Sequence, residues 1–175
     1  MVLNEKIEVT IGRLLRNRGW RLVVAESCTG GLIGHRITDI PGSSEYYLGS
    51  VTAYAYSAKE RILGVHHETL LQHGAVSRET VQEMAYGIRL AFAGEEPLES
   101  IVGVAVTGIA GPGGATPEKP VGLVWIGISA PGFESAWFFV GQGNRQENKA
   151  FSAQMALELL LQVLEDGSQG ETTAE

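Results

Sequence analysis

The sequence predicts a single three-layer α/β/α domain built on a mixed, largely parallel sheet. Three features predict it: a strand, glycine turn and helix at residues 22–37, a second strand and helix at 49–64, and three β-rich runs between 101 and 140 followed by a long helix. Strands alternating with helices cover both faces of a sheet and leave ligands to the loops at the strands' carboxyl ends.

The elements follow in order. Residues 4–18 carry Ile7, Ile11, Leu14 and Leu15 at the 3.6-residue period, with Asn4 as cap and Gly19 as stop. Leu22 to Ala25 read as a short buried strand. The chain turns at Glu26-Ser27-Cys28-Thr29-Gly30-Gly31 and re-enters helix through Leu32, Ile33 and Ile37 until Pro41-Gly42 ends it. Gly49 to Tyr54 read as the next strand, and Ser57 with Glu60 has the spacing of a capping box before Gly64. Ser77 caps a helix whose face is Val81, Met84, Ala85, Ile88 and Phe92, and a polar loop follows at 94–99. Ile101 to Val106, Val121 to Ile128 and Ala136 to Val140 read as strands, the last two joined through Pro131-Gly132. Asn144 and Glu147 cap a terminal helix reaching about Leu164, and the polar residues 166–175 are expected to be disordered. The domain is thus expected over residues 1–165.

Composition removes several classes of function. Thirteen Lys plus Arg against twenty Asp plus Glu give a formal net charge of −7, which opposes the electrostatic attraction that nonspecific nucleic-acid binding needs. No apolar run approaches the roughly 20 residues of a spanning helix, so no membrane partner and a cytoplasmic location are expected. Cys28 is the only cysteine, which excludes an intramolecular disulfide and a multi-cysteine zinc site. His35, His66, His67 and His73 lack the context of a metal motif, so no metal is expected.

The densest chemical feature is AESCTGGLIG, residues 25–34. It places the Ser27 hydroxyl between a buried strand and a helix start, where main-chain amides around Thr29, Gly30 and Gly31 are suited to an oxyanion. Ser27 and Thr29 would equally serve as helix caps. Lys59, in the first turn of the next helix, is a candidate base because burial and the helix field both disfavour an ammonium; the same residue would also suit a solvated surface position. Cys28 is the rival nucleophile and ranks second, since a small buried thiol is the commoner state. The second glycine segment, GIAGPGGATPEKPVG at 108–122, can wrap a ligand closely through Gly111, Gly113 and Gly114. It lacks the Gly-Lys-Ser/Thr of a phosphate loop, and a rigid connection between strands is the alternative. Arg145, at a helix start, is suited to holding a phosphate.

Taken in order, AESCTGGLIG, Pro41-Gly42-Ser43-Ser44, Ala53-Tyr54 with Lys59, HGAVS at 73–77 and VTGIAGPGGATPEKPVG closely resemble the CinA carboxyl-terminal domain family over roughly residues 5–165. The resemblance implies hydrolysis of nicotinamide mononucleotide to nicotinic acid mononucleotide and ammonia. It carries the family's serine onto Ser27, its lysine onto Lys59 and its tyrosine onto Tyr54, with Thr107 and Arg145 as further site residues of retained type. Ser27 would form an acyl-enzyme with Lys59 as base, and no cofactor would be needed. Departures from the family pattern are Ala55-Tyr56 for Ser-Asn, Ala115 for a third glycine after GPGG, and Asn144 for Asp. The resemblance also implies a form without the molybdopterin-binding-like domain found in other members, a small pyridine nucleotide as partner, and leaves a homo-oligomer open. A noncatalytic nucleotide-binding or regulatory module is the competing reading.

Overall fold

The computed structural model describes residues 5–94 and 96–166. The elements are α1 (Ile7–Arg18), β1 (Arg21–Glu26), α2 (Leu32–Thr38), β2 (Tyr47–Thr52), α3 (Tyr56–Leu63), α4 (His67–His73), α5 (Arg78–Phe92), β3 (Ile101–Gly108), β4 (Leu123–Ala130), β5 (Phe133–Val140) and α6 (Arg145–Asp166). Short 3₁₀ turns lie at Ser43–Glu45 and Leu98–Ser100. The strand order is β2-β1-β3-β4-β5, with β1 parallel to β2 and β3, and β4 antiparallel to β3 and β5.

Period-two alternation divides β1 between two cores. Leu22 and Val24 join α1, α2 and α6 in one apolar layer through Ile11, Leu15, Ile33, Ile37, Leu157 and Leu160. Val23 and Ala25 join α3, α4 and α5 in the other through Leu63, Leu70, Val81, Met84 and Ile88. These are the three layers that the sequence predicts. Because β1, β2 and β3 run the same way and the hairpin of β4 and β5 returns, one sheet edge gathers the ends of β1, β2 and β3, the 109–122 loop and the start of α6.

Several local expectations are corrected. Asn4 lies outside the described residues, and α1 starts after Lys6 with no side-chain cap. Strand β2 begins and ends two residues earlier than expected, so Tyr54 lies past its end; β4 starts at Leu123, and β5 already at Phe133. Ser57 is not a cap: it lies inside α3, whose capping position is the extended Ala55, because the Ala55 carbonyl already accepts the Ala58 and Lys59 amides. Helix α4 was not anticipated; at seven residues it is too short for a clear apolar period. Of the expected tail, Asp166 is the last residue of α6 and the remainder lies outside the described residues. The Ser77 cap, by contrast, accepts the Thr80 amide, and Asn144 and Glu147 cap α6 reciprocally.

Helix α5 holds α3 against the sheet through Gly87. A Cβ built there would lie 1.7 Å from the Leu63 carbonyl oxygen, which is backbone and cannot rotate away. In an isolated helix alanine is better than glycine by about 1 kcal/mol. We expect Gly87→Ala to reverse that sign and lower stability by about 2 kcal/mol, because overpacking against backbone displaces α3. Urea unfolding monitored by circular dichroism measures this; an unchanged or raised midpoint would refute the close approach.

Candidate active site

At the end of β1 the strand alternation sends two adjacent polar side chains to opposite faces. Glu26 turns toward α2 and is fully buried. Its carboxylate accepts the amides of Gly31 at 3.0 Å, Ile33 at 3.1 Å and Gly34 at 2.9 Å. This satisfies the unpaired amides of the helix start and places negative charge at its positive end. Gly34 makes room for it: a Cβ there would lie 2.6 Å from the Tyr47 hydroxyl and 3.5 Å from Glu26 Oε1. The cap of α2 is therefore Glu26, and neither Ser27 nor Thr29 serves that role.

Ser27 faces the other way. Its amide continues the β1 to β3 ladder by donating to the Val106 carbonyl, and its hydroxyl lies 3.0 Å from Lys59 Nζ. Lys59 projects from the first turn of α3 and is 1% exposed. Its Nζ also donates to the Ala53 carbonyl at 2.7 Å and approaches the Tyr54 carbonyl at 3.5 Å. Burial pushes the Lys59 ammonium down to about 8, against a small opposing influence from Cys28. In the neutral form, two N–H groups match the two carbonyls and the lone pair is left for the Ser27 hydroxyl. Cys28 lies in the opposite core layer, and burial pushes its thiol up to about 11, which removes the thiolate that nucleophilic attack requires.

The other predicted residues divide. The amides of Gly30 and Gly31 are already taken, by the Ser27 carbonyl and by Glu26, so they are corrected as oxyanion donors. Thr29 is fully buried with no partner for Oγ1 among the described residues. Tyr54 is an exposed ring whose hydroxyl accepts from Arg145 Nη2 at 2.9 Å, so its side chain meets Arg145 and its carbonyl meets Lys59. Arg145 Nη1 donates to the Gly111 carbonyl at 2.7 Å, tying the 109–122 loop to the start of α6. Gly113 and Gly114 lie on the exposed part of that loop. Thr107 is buried and donates to the Ala75 carbonyl at 2.7 Å, so its hydroxyl proton braces the loop before α5 instead of facing a ligand.

The profile of the CinA C-terminal domain matches residues 4–164. The chain belongs to this family. It is 48% identical over 152 residues to a CinA-like protein of Salinibacter ruber, covering 87% of this chain and 35% of that protein. It is 48% identical over 155 residues to a putative competence-damage inducible protein of Halothermothrix orenii, covering 88% and 36%. The chain thus spans about a third of the length of these curated relatives. Among solved structures, a CinA superfamily protein from Klebsiella pneumoniae superposes with a TM-score of 0.84 at 30% identity, covering 92% of this chain and 97% of that one. The competence/damage inducible protein CihA from Agrobacterium tumefaciens gives 0.78 at 37% identity, covering 94% and 99%.

Two residues that shape this candidate site were not singled out from the sequence. Glu26 had a signal, an acid ending an apolar strand just before a helix start. Asn148 is buried in α6 and links the Ala110 and Gly143 carbonyls through Nδ2 while its Oδ1 accepts the Gly143 amide. Its signal was a polar pair, Asn148 and Ser152, on the buried stripe that continues to Ala156.

Glu26→Gln should lower stability by about 2 to 3 kcal/mol, since a carboxamide offers one acceptor oxygen and turns donors toward amides. Urea unfolding tests this, and an unaltered midpoint would contradict the capping role. For Lys59, the folded value lies below the unfolded one. Between about 8 and 10.5 the unfolded chain therefore holds a proton that the native chain has lost. Stability then rises with pH across that window, by at most about 3 kcal/mol, and the cost of the buried ammonium is fully present below it. Melting curves from pH 6 to 9.5 should show wild type gaining on Lys59→Met above pH 8; parallel curves would mean that Lys59 titrates at its ordinary value.

Proposed function

We propose that this domain hydrolyses the carboxamide of nicotinamide mononucleotide to nicotinic acid mononucleotide and ammonia through a serine-lysine acyl-enzyme. The observation that carries the reading is the buried 3.0 Å contact between Lys59 Nζ and Ser27 Oγ, with the lysine down to about 8. A lysine whose ammonium gives up its proton near pH 8 is suited to moving a proton close to physiological pH, and a serine hydroxyl needs an adjacent base to become a nucleophile. Family membership adds the resemblance of the whole motif set to amidohydrolases of this type.

In the proposed reaction Lys59 takes the Ser27 proton while Oγ attacks the carboxamide carbon. The tetrahedral intermediate collapses as the proton passes from Lys59 to the leaving nitrogen, and ammonia departs. Water then attacks the ester, gives its proton to Lys59, and the returning proton regenerates Ser27. The Ala53 and Tyr54 carbonyls steady the lysine through both steps. With Gly30 and Gly31 committed, the amides of Cys28 and Thr29 are the turn's remaining donors for the oxyanion. Asn148 and Arg145 hold the 109–122 loop where the nucleotide would lie.

Ser27→Ala should abolish ammonia release from nicotinamide mononucleotide while Cys28→Ala keeps substantial activity, with circular dichroism confirming both folds. Lys59→Arg should fail despite its charge, because a guanidinium stays protonated. Turnover of the wild type should rise with pH toward a limb near 8. An active Ser27→Ala or Lys59→Arg protein would remove the dyad mechanism. A folded wild type that binds the nucleotide but releases no ammonia would favour the noncatalytic binding module.

A further inference from the structure

One cation near the dyad has no role in the chemistry above. Lys149 lies one turn beyond Arg145 on α6, a spacing that puts both side chains on one helix face. A Cβ built at Gly30, in the turn that carries Ser27, would lie 3.5 Å from Lys149 Nζ, so the ammonium rests over that turn. Arg145 is linked to the dyad through Tyr54, whose hydroxyl accepts from Nη2 at 2.9 Å and whose carbonyl lies 3.5 Å from Lys59 Nζ. Neither cation is paired with a carboxylate among the described residues: Arg145 donates to a carbonyl and a phenol, and Glu147 on the same turn is occupied with the Asn144 amide. In a chain of net charge −7, two unneutralised cations one helical turn apart beside a nucleophile mark a place for an anion.

We propose that Lys149 is a specificity-determining residue that binds the phosphate monoester of the substrate jointly with Arg145. The proposal rests on the amidohydrolase reading for its substrate, and its observation is independent of that reading. Both Nη atoms of Arg145 already bond to protein, so its remaining N–H groups supply only part of what a dianion accepts. Lys149, with no protein acceptor on its ammonium among the described hydrogen bonds, supplies the rest as a point charge. Gly30 is required at φ +63°, and the absence of a side chain there leaves the ammonium room to swing toward the ligand.

The test uses Lys149→Met, which retains the stem, and Lys149→Arg, which retains the charge. Titration calorimetry at low salt with ribose 5-phosphate as probe should show about tenfold weaker binding to Lys149→Met than to wild type, and near-wild-type binding to Lys149→Arg. Raising the salt should narrow the difference. With nicotinamide mononucleotide, Lys149→Met should raise KM about tenfold with kcat within twofold, against at most a twofold change in KM for nicotinamide riboside. Equal binding of ribose 5-phosphate by wild type and Lys149→Met, or no binding by either, would overturn the proposal whether or not the protein releases ammonia. Absence of ammonia release with intact charge-dependent binding would refute the hydrolytic reading alone.

Discussion

The buried Glu26 carboxylate is the contact on which the rest of the site depends. Among the described residues it has no salt-bridge partner; the amides of Gly31, Ile33 and Gly34 hold it, and through them it sets where α2 begins. Burial of a carboxylate without such donors would cost several kcal/mol, so the turn between β1 and α2 has little freedom to adopt another shape. With Glu26 fixed toward one face, strand alternation fixes Ser27 toward the other, beside α3.

The second constraint is desolvation. Lys59 is almost fully buried, and among the described residues its Nζ meets the Ser27 hydroxyl and the Ala53 and Tyr54 carbonyls, all neutral oxygens. The burial that disfavours its ammonium is the property a base needs near neutral pH, so the stability lost to a buried lysine and the chemistry proposed for it have one origin. The thiol next door shows the opposite consequence of the same physics: burial lowers an ammonium toward neutrality and raises Cys28 away from its reactive anion. Adjacent residues with similar nucleophilic potential are separated by which face of the sheet they occupy.

The surrounding loops are held by hydrogen bonds in which no carboxylate takes part. Asn148 ties Ala110 to Gly143, Thr107 ties β3 to Ala75, and Arg145 ties Gly111 to Tyr54. This leaves Arg145 and Lys149 without carboxylate partners among the described residues, in a chain of net charge −7, and the proposed anion site rests on that arrangement.

The sequence by itself determined the fold class, the capped helices α5 and α6, the Gly19 stop and the turn that carries Ser27. Those features are local: apolar period, cap chemistry and glycine placement act within a few residues. The motif order also marked Ser27, Lys59, Tyr54 and Arg145 as members of one site. Only the tertiary structure decided how they meet. That Ser27 reaches Lys59 across 32 positions, that Tyr54 serves Arg145 with its hydroxyl, that Thr107 faces Ala75, and that Glu26 occupies amides expected to be free all follow from sheet order and packing. Side-chain partners and desolvation are long-range quantities: the lysine's shift comes from the burial that the folded chain imposes on it, and no window of sequence around residue 59 contains that information.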